Sequence, residues 1–202
     1  MFNNLFKSKN KEDAFWDWFT SKADNYFNFE KDQEKLFNEL NSKLNKVDKN
    51  LTFEFSPVQD SGKREFIVSA DGIKTAFPSV IALVKNAPKL EKWEIIAFRQ
   101  PKIGYKELNY KDIKLSFSDV YFRYSKDNGK IGVELYIRGL KDSSNWMAAS
   151  FLLLDMILGE YDTEMNLSWI ERKPLDEGEV NTLYPLTDLP AIVKDNKLEF
   201  NN

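Results

Sequence analysis

The stretch 121-YFRYSKDNGKIGVELYIR-138 decides the fold. At its centre stands Asp127-Asn128-Gly129, and Asn-Gly accommodates the two positive φ angles of a type I′ turn. Beyond the turn, Ile131, Val133, Leu135 and Ile137 alternate with Gly132, Glu134, Tyr136 and Arg138. That period of two belongs to a strand with one buried face. Before the turn, an extended run reaches back to Asp112, so 112–138 reads as a β-hairpin. A helix of about 143–158 follows, opened by Ser143 or Ser144 and ended near Gly159. Met165, Leu167 and Trp169 then read as a strand.

The same order of elements stands upstream. Leu51, Phe53 and Phe55 alternate with polar residues, Gln59-Asp60-Ser61-Gly62 is a turn, and Phe66, Val68 and Ala70 alternate again. A helix at about 77–87 carries Pro78 early, where its missing N–H is harmless. Trp93 to Phe98 is a further strand. The two runs, 51–99 and 112–170, predict a ββαβ unit occurring twice. Two helices precede them. The first, at 11–28, is capped by Asn10 and carries Phe15, Phe19, Ala23 and Tyr26 at helical spacing. The second, at 31–47, carries Leu36, Leu40, Leu44 and Val47. The expected fold is therefore α+β: two N-terminal helices, then a mainly antiparallel sheet from two ββαβ-like halves, with helices on one face. We expect residues 1–10 to be a disordered tail and 11–202 one domain, with 100–111 its only plausible joint. After Lys173 the pattern dissolves around Pro174, Pro185 and Pro190, with a helical turn near 190–194.

Composition narrows the chemistry. The 202 residues include no His and no Cys. Ser-His-Asp and Cys-His catalysis, disulfides, zinc fingers and His- or Cys-ligated haem and iron–sulfur centres are excluded within the chain. Carboxylates, Lys, Arg, Tyr, Ser and Thr remain. The net charge of −3 is uneven, from +3 over 101–150 to −7 over 151–202. No concentrated basic footprint suggests nucleic acid. No apolar run reaches the roughly 20 residues of a membrane span, and no signal-peptide core follows the first lysines. The expectation is a cytoplasmic protein without membrane or nucleic-acid partners. Lys outnumbers Arg by 24 to five. Arg64, Arg99, Arg123, Arg138 and Arg172 therefore mark positions where a forked guanidinium is needed and Lys does not suffice.

Two constellations are candidates for function. Phe15-Trp16-Asp17-Trp18-Phe19 places four aromatics in five residues, more than one helical stripe can bury. Trp16 and Trp18 are the candidate binding surface, set against a helix wedged into the fold by all of them. The other is Asp155, inside the apolar run Phe151 to Leu158, with Glu160 just past Gly159. A carboxylate there needs a compensating partner, and the pair could perform acid–base chemistry or hold Mg²⁺ or Ca²⁺. The bland alternative pairs them with a strand arginine such as Arg99 or Arg138. Asp155, Glu160 and Arg99 are thus the candidate catalytic residues, with no metal-ligand motif and no cofactor indicated.

Four segments together resemble an uncharacterised family of bacterial cytosolic proteins, over about residues 12–192. They are the aromatic run 15–19, Ser69-Ala70-Asp71-Gly72, Ala87-Pro88-Lys89-Leu90 leading to Trp93 and Ala97-Phe98-Arg99, and Gly159-Glu160-Tyr161-Asp162. The resemblance implies a bacterial source and brings no residue roles. The expected function is a non-enzymatic protein-interaction or regulatory module with a protein partner. The alternative is a carboxylate-dependent enzyme, with Mg²⁺ or Ca²⁺ as its possible cation, acting near the end of the fourth helix.

Overall fold

The computed structural model describes residues 10–200, so the expected tail lies outside the described residues except for Asn10. Asn10 caps the first helix, its side chain accepting from the Asp13 N–H at 2.7 Å. The contacts gather into two compact units, one ending at Phe98 and one beginning at Arg99, just ahead of the joint read at 100–111.

The first unit contains α1 (Lys11–Phe27), α2 (Gln33–Val47), β1 (Thr52–Phe55), β2 (Arg64–Ser69), α3 (Phe77–Lys85) and β3 (Trp93–Ala97). β1 pairs antiparallel with β2, and β2 pairs parallel with β3, which the α3 crossover permits. Alternation along the strands puts Phe53, Phe55, Phe66 and Val68 on one face. Phe15, Trp16, Phe19 and Tyr26 of α1, Leu40 and Leu44 of α2, and Val80 and Leu83 of α3 join Phe66 and Val68 in a single core. Asp71-Gly72 after β2 is left-handed at both residues, with φ of +47° and +77°.

The second unit opens with a short hairpin, β4 (Glu107–Tyr110) and β5 (Ile113–Ser116), then β6 (Val120–Asp127) and β7 (Lys130–Ile137). Asn128 and Gly129 take φ of +48° and +79°, as a type I′ turn requires. Next come α4 (Ser144–Leu158), α5 (Glu160–Asn166), β8 (Leu167–Pro174), β9 (Tyr184–Pro185) and α6 (Leu189–Phe200). The four strands after the hairpin lie in the order β8-β7-β6-β9. β6 is antiparallel to β7, and β7 is parallel to β8. This is the pairing of β1, β2 and β3, so the ββαβ arrangement occurs in both units. Phe122, Ile131, Val133, Leu135 and Ile137 form the core with Leu153 and Leu154 of α4 and Leu189 and Val193 of α6.

The fold is α+β, with α1 and α2 ahead of the strands and four of the six strand pairings antiparallel. Three details depart from the sequence reading. The strands form three sheets among the described residues. The extended run at 112–124 is two strands, because a 3-10 turn at Phe117–Asp119 redirects the chain. Met165 belongs to α5, so the strand expected from 165 begins at Leu167.

Candidate functional site

The carboxylate cluster is built where α4 stops. Gly159 ends α4 at φ +83°, a conformation that suits glycine. Its N–H returns to the Asp155 carbonyl at 2.8 Å. A Cβ here would stand 2.9 Å from Pro101 Cδ and 3.2 Å from the Arg99 carbonyl oxygen. The absence of a side chain therefore lets the 99–102 segment lie against the helix end. Two main-chain bonds fasten it, Glu160 N–H to the Arg99 carbonyl at 2.9 Å and Lys102 N–H to the Met156 carbonyl at 2.8 Å.

Side chains complete the closure. The Arg99 main-chain N–H donates to Glu160 Oε2 at 3.2 Å. Arg99 Nη1 lies 3.4 Å from Asp155 Oδ2 and 3.8 Å from Glu160 Oε2. Glu160 is fully buried, whereas the Asp155 side chain keeps 14% of its exposure. Two carboxylates thus face one guanidinium nitrogen. Burial pushes Asp155 up to about 6; the Arg99 charge opposes this, and the Glu160 charge adds to it. Thr163, one turn into α5, is buried, and hydrogen bonding from its hydroxyl also opposes the rise at Asp155. Asp155, Glu160 and Arg99 converge in a closed arrangement, so of the two arginines offered as partners it is Arg99 that meets these carboxylates. The cation serving both carboxylates is Arg99, and among the described residues no group of three or more acidic side chains is placed to hold a metal ion.

The aromatic constellation divides. Trp16 is 3% exposed, and its Nε1–H donates to the Leu83 carbonyl of α3 at 2.7 Å. Its ring meets Phe66 edge-on at 5.9 Å. Trp16 is therefore a core residue, correcting its place in a binding surface. One residue from Phe15, it lies about 100° further round α1, and both β2 and α3 cover that side. Trp18 is half-buried, with Lys22 and Lys43 over its ring.

The forked contact expected of the arginines is seen at Arg138, whereas Arg99 meets its two carboxylates through Nη1 alone among the contacts described above. Arg138 forks onto Glu177 through Nε at 2.6 Å and Nη2 at 2.9 Å, with Asp119 on Nη1 at 2.5 Å. Arg99 meets Asp155 and Glu160 as described.

Sequence reasoning missed the outer face of the four-stranded sheet. Register places Tyr121, Tyr136 and Lys173 in one row, and Arg123, Glu134 and Glu171 in the next. Lys173 Nζ reaches Glu134 at 2.6 Å and Glu171 at 3.2 Å. The Tyr136 hydroxyl donates to Glu134 at 2.9 Å. Hydrogen bonding from Lys173 holds the Glu134 carboxyl below its usual range. Trp169 stands beside these rows opposite Gly132, 41% exposed. The alternation of Trp169, Glu171 and Lys173 was the available signal.

No described helix is long and apolar enough to cross a membrane. Comparison with protein-family models, curated proteins and solved structures finds no match to this chain.

Proposed function

We propose that this chain is a non-enzymatic interaction or regulatory module that acts by binding a protein partner in the bacterial cytoplasm. The observation that carries the reading is the closure at Arg99. The Glu160 carboxylate is fully buried and held by the Arg99 main chain, so it is not presented to a substrate. Recognition is left to rigid exposed surface, and the outer sheet face offers Trp169 beside alternating charges on paired strands.

Affinity capture from a bacterial cytosol tests this, with wild type, Asp155→Asn and Trp169→Ala as baits of equal melting behaviour. A protein retained by wild type and Asp155→Asn but lost by Trp169→Ala is the expected result. Equal recovery by all three baits would remove the sheet face from the proposal.

One observation favours the carboxylate enzyme as a second reading: Asp155 can hold a proton close to neutral pH. Turnover that Asp155→Asn abolishes, with or without Mg²⁺ or Ca²⁺, would establish it in place of the first.

A further inference from the structure

Four of the five arginines are neutralised inside the fold. Arg64 meets Glu30, Arg99 meets Asp155 and Glu160, Arg123 meets Glu179, and Arg138 meets Glu177 and Asp119. Arg172 differs. Among the described residues no carboxylate pairs with it, and its Nη1 is shut off from water without a hydrogen-bond partner. Its guanidinium carbon lies 5.8 Å from the centre of the Phe151 ring. That contact steadies the cation and leaves its charge uncompensated. A partly desolvated guanidinium lacking an anion is electrostatically incomplete.

Arg172 lines a surface pocket of about 400 Å³, a size that suits a small molecule. Lys141 lines the same pocket as a second cation, and Asp142 is the one carboxylate among its lining residues. Ser143 Oγ accepts from the Trp146 N–H at the start of α4, and its own O–H is available to donate. Trp146 and Met147 supply an apolar side. Two cations, a hydroxyl donor and an aromatic wall suit a ligand with a charged oxygen head and an apolar body.

We propose that this pocket binds an organic oxyanion, a carboxylate or phosphate head at Arg172 and Lys141 with an aromatic or aliphatic body against Trp146 and Met147. The site lies apart from the Arg99 cluster and does not depend on the protein-partner reading. Guanidinium is the cation whose paired N–H groups match both head groups, which accounts for Arg at 172 in a chain that otherwise favours Lys.

Titration calorimetry of the full chain with phenylacetate, phenyl phosphate and benzyl alcohol tests the assignment. At least one anion is expected to bind wild type with a Kd of about 1 mM or tighter, and the tighter of the two identifies the head group. Arg172→Met should weaken that anion by about tenfold or more, with a melting temperature unchanged or raised because no internal ion pair is lost. Arg172→Lys keeps the charge without the fork and should weaken it by about threefold. It decides the matter if Arg172→Met does not fold. Silence from both anions would overturn the proposal. So would benzyl alcohol binding as tightly as the anions, or affinity unchanged in both Arg172 variants.

Discussion

The indole of Trp169 on β8 fills the space over Gly132 on β7 that a side chain would otherwise occupy, across a parallel pairing that shifts register at Ile131/Gly132. Gly132 is the only residue type that leaves this room. In Gly132→Ala the new methyl would fall inside the ring, so the indole must swing into solvent or the strands must part. We expect a loss of about 1–3 kcal/mol and a red shift in tryptophan emission. In the double variant Gly132→Ala/Trp169→Ala, the methyl meets nothing from that ring, so its added cost should nearly vanish. Additive losses in the cycle would show that the two residues do not constrain each other.

Asp155 gives the second prediction. Its folded value is pushed from 3.8 up to about 6, so between those values the folded chain binds more proton than the unfolded one. This contribution to stability is fully present below about pH 4, falls as pH rises through 6, and is absent above. Other carboxylates slope the opposite way; hydrogen bonds to Lys173 and Arg138 lower Glu134 and Glu177. The difference between wild type and Asp155→Asn isolates the one group. The variant should be more stable than wild type at pH 7.5, by on the order of 1–3 kcal/mol, with the gap closing toward pH 4. Urea melts at both ends of that range measure it. A less stable variant at pH 7.5 would mean that the Arg99 contact outweighs burial. Such a gain in stability does not by itself indicate catalysis, because Asp155 is desolvated by burial in either role.

The third prediction separates two costs at glycines. Gly159 and Gly139 both have positive φ, +83° and +71°, and at Gly159 a ψ of 151° makes a pairing open almost only to glycine. A Cβ at Gly139 meets nothing within 4 Å, whereas one at Gly159 meets Pro101 and the Arg99 carbonyl. Gly139→Ala should therefore lose only the backbone preference, about 1 kcal/mol. Gly159→Ala adds the clash and the stricter backbone cost of its φ/ψ pairing, and should lose about 2–4 kcal/mol. Equal losses in thermal melts would mean that the 99–102 segment yields without resistance.

The strands and long helices were legible in the sequence because their signals are local. Asn128-Gly129 specifies its turn through its own backbone freedom, and Asn10, Ser143 and Gly159 mark helix ends through groups a few residues away. What failed was set elsewhere in the chain. Trp16 is buried by Phe66 and Leu83, and no spacing within α1 announces them. Lys111 adopts φ +52° in the turn between β4 and β5. Without a glycine there to mark a hairpin, β4 was read as part of the joint at 100–111. The helical turn read near 190–194 is the start of α6, which Pro190 opens at an early helical position and which runs on to Phe200. The candidate cluster was half legible. The apolar run around Asp155 demanded a partner, and Arg99 was named among those it could have. The main-chain zipper that closes the cluster depends on where 99–102 returns, which no motif encodes.

Phe98 provides the last prediction, from a conflict between backbone and side chain. It sits at φ +64°, where a bulky residue is disfavoured. Its N–H extends the β2–β3 ladder to the Val68 carbonyl at 2.8 Å. Its ring is buried, 4.6 Å from the centre of Phe77. Ring burial pulls the residue in, and the left-handed backbone costs about 1–2 kcal/mol against it. Phe98→Ala loses the ring and keeps the strain, so it should destabilise by about 3–5 kcal/mol. Phe98→Gly also loses the ring, but glycine accepts this φ freely. At ordinary positions glycine is worse than alanine by up to about 1 kcal/mol. Here the order should invert, with Phe98→Gly the more stable by about 1 kcal/mol. Chemical denaturation of the two variants side by side reads the sign directly. A less stable glycine variant would show that the turn after β3 relaxes once the ring is gone.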